Sequence, residues 1–179
     1  MPANKNLLVV LILTGALLLA LCSCKNKPSA MVEVIKNGDF SLWDQGNKFP
    51  DAWGLGGDGT GQSFKETSVV KMGNTSIRIV HISGGPIALY QDVDNAGNYK
   101  GRKFDFGCWI NSKDANSAYL ALFDGVNWQY SPKYSGSGQW EYLTAKGKFA
   151  DKPSLIRAHL YLDNKATAYF SGASLTIEQ

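Results

Sequence analysis

From Val32 to the C-terminus, apolar residues recur at every second position, a period that belongs to strands and not to helices. In Lys103–Asn111, Phe104, Phe106, Cys108 and Ile110 fall on one side, and Asp105, Gly107, Trp109 and Asn111 on the other. Ile156, Ala158, Leu160 and Leu162 alternate in the same way with Arg157, His159, Tyr161 and Asp163. Further strands are expected over Ser63–Val70, Ser76–Ile82, Ile87–Val93, Ala118–Phe123, Gln139–Lys148 and Ala168–Ile177. Turn signals part them: Gly73-Asn74, Gly84-Gly85-Pro86, Asn95-Ala96-Gly97-Asn98, Asp124-Gly125, Gly136-Ser137-Gly138 and Asp163-Asn164-Lys165. Short strands at this spacing predict an all-β, antiparallel sandwich or jelly roll. Phe104, Phe106, Ile110, Leu160 and Leu162 are expected inside it.

The N-terminus follows a different pattern. Lys5 is the one charge before an unbroken apolar-to-small run from Leu7 to Leu21. A membrane span needs about 20 apolar residues, so this run is the core of an export signal, to be set aside from the fold. It ends in Leu21-Cys22-Ser23-Cys24, which resembles the lipobox of bacterial lipoproteins. Ser23 is the small residue that lipobox cleavage wants, which implies lipidation at Cys24 and not at Cys22. Acyl chains stabilise membrane association by about 0.8 kcal/mol per buried CH₂, and several together hold a protein permanently. Three segments follow: a signal peptide over 1–23, a lipidated cysteine and polar tether over 24–31, and one domain over 32–179. The expected location is the bacterial cell envelope, anchored to a membrane (the outer one favoured) and facing the periplasm or the outside.

Composition narrows the chemistry. Among 179 residues the formal net charge is only +3, with 18% charged residues, so no concentrated basic face exists to release counterions from nucleic acid. Three cysteines are too few for a disulfide scaffold. His81 and His159 form no local metal motif, and no Gly-x-Ser-x-Gly elbow is present. Cys108 lies in phase with Phe104 and Phe106 and reads as an inert core thiol. Asp92 and Asp94 share a strand face, but catalytic carboxylates of glycosidases oppose each other across a sugar. Neither an enzyme nor a resident metal is expected.

The landmarks, taken in order, resemble the CenC-type carbohydrate-binding modules, a family with a galactose-binding-like β-sandwich. They are Asn37-Gly38-Asp39-Phe40, Pro50-Asp51-Ala52-Trp53, Gly73-Asn74-Thr75-Ser76-Ile77-Arg78-Ile79, Gln91-Asp92-Val93, Arg102 to Ile110, Gly138-Gln139-Trp140-Glu141-Tyr142-Leu143 and Ala168 to Leu175. The resemblance implies a carbohydrate ligand held without catalysis. It also raises the structural calcium many such modules carry, which is disfavoured here. Ser41 stands where the opening turn should bring an acid, and Ser171 and Gly172 stand where the closing strand should bring two.

Sugar sites pair aromatic platforms with directional polar groups. The outward-phase candidates are Arg78, Gln91, Trp109, Asn111, Glu141, His159 and Tyr161, expected along one open face, with Trp128 and Tyr130 as loop walls. Trp109 is the sharpest candidate, while Trp53 and Trp140 read as structural. The alternative is a lipoprotein that binds protein partners in the envelope and no sugar.

Overall fold

The computed structural model describes residues 29–43, 46 and 48–179. The export run and Cys24 lie outside the described residues. Among the described residues nine strands form: β1 Met31–Glu33, β2 Gly54–Glu66, β3 Ser76–Asp92, β4 Lys103–Ser112, β5 Ala118–Phe123, β6 Trp128–Tyr130, β7 Glu141–Lys148, β8 Arg157–Leu162 and β9 Thr167–Glu178. The ladder runs β6-β5-β8-β3-β9-β4-β7, with β1 on β9 and β2 on β3, and every pairing is antiparallel.

The long strand β3 makes this ladder a sandwich. Its first part, Ile77–Val80, pairs with β9, and its last part, Ile87–Asp92, pairs with β8. One layer therefore holds β6, β5, β8 and the end of β3; the other holds the start of β3 with β9, β4 and β7. The Gly84-Gly85-Pro86 signal, expected to separate two strands, instead marks the bend where one strand changes layers. Backbones meet closely there: a Cβ on Gly59 would lie 1.9 Å from the Gly85 carbonyl oxygen. His81 fastens the bend, its Nε2 donating to Gly85 O and its Nδ1 accepting from Lys165 N–H, both at 2.8 Å.

The alternation read from sequence lands in phase. Phe104, Phe106, Cys108 and Ile110 pack inward against Ile156, Ala158, Leu160 and Leu162, with Phe170 and Leu175 from β9. Burial pushes the Cys108 thiol far up and out of reach of deprotonation. Two expectations change. Strand β2 starts at Gly54 and not Ser63, because its glycine-rich half pairs with β3 despite low intrinsic strand preference. It stops at Glu66, whose carboxylate accepts the Thr67 and Ser68 N–H groups and so turns the chain.

The opening landmark is built for packing. Asn37 and Phe40 take positive φ, and the Asn37 side chain bonds Leu42 and Asp51. Phe40 is fully buried against Trp53, whose indole N–H donates to Asn37 O at 3.2 Å. Trp53, read from the sequence as structural, is a core residue. Gly38 is required because a Cβ there would sit 2.0 Å from Ala173 O. Opening and closing segments thus meet directly, with Ala173 N–H donating to Gly38 O at 2.8 Å.

Candidate functional site

The outward face of the β5–β8–β3 layer carries a run of aromatic side chains in mutual contact. Cross-strand register sorts it into rows. One row runs Gly54, Tyr90, His159, Ala121, Tyr130, the next Gly56, Ala88, Tyr161, Tyr119, and the third Asp92, Arg157, Phe123, Trp128. Tyr119 and Tyr161 stack at 5.0 Å and 14°, and Tyr161 stacks on His159 at 5.1 Å and 14°. Trp128 lies 4.7 Å from Phe123, 5.1 Å from His159 and 5.9 Å from Tyr130. Trp128 and Tyr130 remain well exposed, so the platform has a surface to offer.

Small residues keep one side of the platform low. A Cβ on Gly54 would come within 2.8 Å of the Tyr90 ring, so the ring lies flat only because Gly54 lacks one. At the other side, buried Asp124 shapes the turn that delivers β6. It accepts from Val126, Asn127 and Ala150 N–H groups at 2.9, 2.6 and 2.7 Å. Trp128 and Tyr130, expected on a loop, therefore stand on a short strand whose entry is pinned.

Arg157 and Lys133 on this face each hold a carboxylate. Arg157 donates from Nη2 to Asp92 at 2.8 Å while its guanidinium lies 4.5 Å over the Tyr90 ring. Those hydrogen bonds hold the Asp92 carboxyl below its ordinary range. Lys133 pairs with Asp163 at 3.2 Å and sits 5.0 Å over Tyr119. His159, only 7% exposed, has its pKa lowered from 6.5 to about 4 by burial and by the Arg157 charge. It is neutral at pH 7, and its Nδ1 is buried without a hydrogen-bond partner. Burial also raises the Tyr119 and Tyr161 hydroxyls, so both stay protonated. Such a face can stack uncharged rings and hydrogen-bond their rims. The two carboxylates weighed from sequence are each held by a cation, Asp92 by Arg157 and Asp94 by Lys36 at 2.7 Å.

Of the nine residues expected to bind, the structure brings four together here: His159, Tyr161, Trp128 and Tyr130. The others are placed elsewhere. Gln91 points inward, and its amide exchanges two hydrogen bonds with the Lys36 backbone at 2.7 and 2.8 Å. Glu141 spends its carboxylate on Ser135 and Ser137, tying down the loop before β7. Arg78, Trp109 and Asn111 stand on the opposite layer, so no single open face carries the whole set. Trp109 is half-buried there beneath Lys71 at 4.7 Å and against Tyr142 at 5.2 Å. Trp140 is half-buried as well. Tyr90, Tyr119, Phe123 and the Asp92–Arg157 pair were missed as site residues, although the outward phase of β5 and β8 already pointed at three of them.

No protein-family model matches the sequence, and no curated protein matches it. Solved structures do. A family 61 carbohydrate-binding module in complex with β-1,4-galactotriose superposes with a TM-score of 0.57 at 14% identity, covering 80% of this chain and 97% of that one. The family 22 xylan-binding domain of Paenibacillus barcinonensis Xyn10C gives 0.56 at 10% identity, covering 86% and 97%. The enzymatically active domain of bacteriophage CBA120 tailspike protein 4 gives 0.63 at 13% identity over 82% of this chain. This chain spans about a fifth of that tailspike structure, matching 21% of it. The fold is that of the carbohydrate-binding modules. Among the described residues no three His, Cys, Asp or Glu side chains gather as a metal site. Where the resemblance raised calcium, Asp39 accepts from Ser41, and the Ser171 hydroxyl joins the Lys71–Met72 backbone.

Proposed function

We propose that the protein is a non-catalytic, lipid-anchored glycan-binding protein of the bacterial cell envelope, holding an uncharged saccharide on its aromatic face. One observation carries the reading: Tyr119, Tyr161, His159 and Trp128 form a continuous outward-facing aromatic platform. Pyranose rings present apolar C–H faces that stack on such rings and exclude water, while hydroxyls find polar groups at the edge. Asp92 and Arg157 supply that edge. Two of the fold neighbours, the galactotriose-bound module and the xylan-binding domain, support a saccharide as the ligand class. The Ser23-Cys24 junction supports the anchor, with the outer membrane as the favoured site.

A panel of neutral plant and bacterial oligosaccharides tests the ligand. Trp128→Ala removes the exposed centre of the platform and should weaken binding at least tenfold while the chain still folds cooperatively, its melting temperature lowered by only a few degrees for the lost ring contacts. Binding by no neutral glycan, or full binding by this variant, would defeat the reading. Mass spectrometry of the mature N-terminus tests the anchor, which requires an acylated Cys24 as the first residue.

A further inference from the structure

The opposite layer holds a feature the aromatic platform does not use. The register there aligns Phe64, Arg78, Tyr169 and Asn111 in one row across β2, β3, β9 and β4. The Arg78 guanidinium lies 4.5 Å over the Phe64 ring, and its Nε is buried without a partner. Among the described residues it joins no ion pair. Beside it, Asn111 and Tyr169 line a pocket of about 180 Å³ with Ser112, Lys113, Asp114 and Thr167. That is smaller than the roughly 300–1,000 Å³ of ordinary ligand pockets, so it fits one unit of a chain and not several.

We infer that this row is a second ligand site, for the carboxylate of an acidic sugar residue. A guanidinium is a planar fork that matches a carboxylate with two parallel hydrogen bonds. Arg78 is half-buried, fixed on an aromatic ring and lacks a counter-ion from its own fold, so an external anion completes it. Lys113 and Asp114 at the pocket carry opposite charges, and Arg78 stands one register position away, across from Tyr169. The Tyr169 ring and the Asn111 amide are placed to meet the sugar ring and a hydroxyl. The site is independent of the platform on the other layer.

Titration of the full chain with trigalacturonate, and with the same trimer after its carboxylates are reduced to alcohols, separates the two sites. The acid trimer should bind wild type, and raising salt from about 20 to about 300 mM should weaken it several-fold through screening. Arg78→Gln should cost it at least tenfold and Trp128→Ala should leave it unchanged. The reduced trimer should show no dependence on Arg78. Asn111→Ala, a change at a half-buried pocket-lining position of the row, should weaken the acid trimer about threefold and stands in if Arg78→Gln fails to fold. No acid-trimer binding at low salt, or binding indifferent to both variants, overturns the inference. Loss of neutral-glycan binding in Trp128→Ala bears only on the platform.

Discussion

Two arginines stand in nearly the same local setting on opposite layers. Arg157 lies 4.5 Å over Tyr90, and Arg78 lies 4.5 Å over Phe64. In each case the aromatic partner is the cross-strand or diagonal neighbour, and the guanidinium is flattened on the ring. They differ in what sits beside them. Asp92 faces Arg157 across the β3–β8 register and neutralises it. Arg78 has Tyr169 and Phe64 across its registers, and neither bears a charge. One carboxylate therefore separates a face suited to uncharged sugar from a face that still demands an anion.

The comparison collapses altogether if the core between the layers fails. Phe106 is fully buried on β4 and packs inward, beneath the layer that carries Trp109. Phe106→Ala should cost about 3–5 kcal/mol of unfolding free energy, measured by denaturant titration. Both faces should lose binding in one transition, because β3 belongs to both layers. A cost below about 1 kcal/mol would mean the assigned phase of β4 is wrong.

A smaller effect separates the faces by pH. The pKa of His159 falls from 6.5 unfolded to about 4 folded, because burial disfavours the imidazolium. Below pH 6.5 the unfolded chain takes up a proton that the folded chain refuses. Stability from this group is thus complete above pH 6.5, drains away as pH falls toward 4, and is then exhausted. The shift corresponds to about 3 kcal/mol. His159→Gln should flatten the stability profile between pH 6.5 and 4 relative to wild type. Parallel profiles would show that His159 is not held neutral under Trp128 and Tyr161.

Much of this was legible before the fold was known, and the misses have physical causes. The alternations of Phe104 to Ile110 and of Ile156 to Leu162 gave the core directly, because burial on one side forces period two. The same alternation in β8 put His159 and Tyr161 outward. It could not say that Trp109 and Tyr161 lie on different layers, since a sandwich has two outward faces and phase alone does not distinguish them. Gln91 was misplaced because a planar polar side chain in a strand looks solvent-facing; it lies in phase with Ile87 and Leu89, and its amide satisfies the Lys36 N–H and C=O. The start of β2 was hidden by its glycines: Gly54 and Gly56 leave room for the Tyr90 ring, and Gly57 for the Pro86–Ile87 backbone, so none is there for strand propensity. Trp128 and Tyr130 looked like loop residues because three positions are too few to show any period.

The smallest expected change in stability tests the comparison most sharply. Asp92 and Arg157 are both partly solvent-exposed, so their ion pair should contribute no more than about 1 kcal/mol. Asp92→Asn should therefore fold normally and retain the aromatic platform, with neutral-glycan affinity changed only a few-fold. Yet it removes the counter-ion that Arg157 has and Arg78 lacks. If an unneutralised guanidinium on an aromatic ring suffices to capture a carboxylate, the variant acquires a second, salt-sensitive site. Trigalacturonate stoichiometry should then rise from one toward two, and the added site should vanish in the Asp92→Asn, Arg157→Gln double variant. An unchanged stoichiometry would show that the missing acid alone does not set the faces apart. In that case the pocket formed by Asn111 and Tyr169, which Arg157 lacks, must supply the difference.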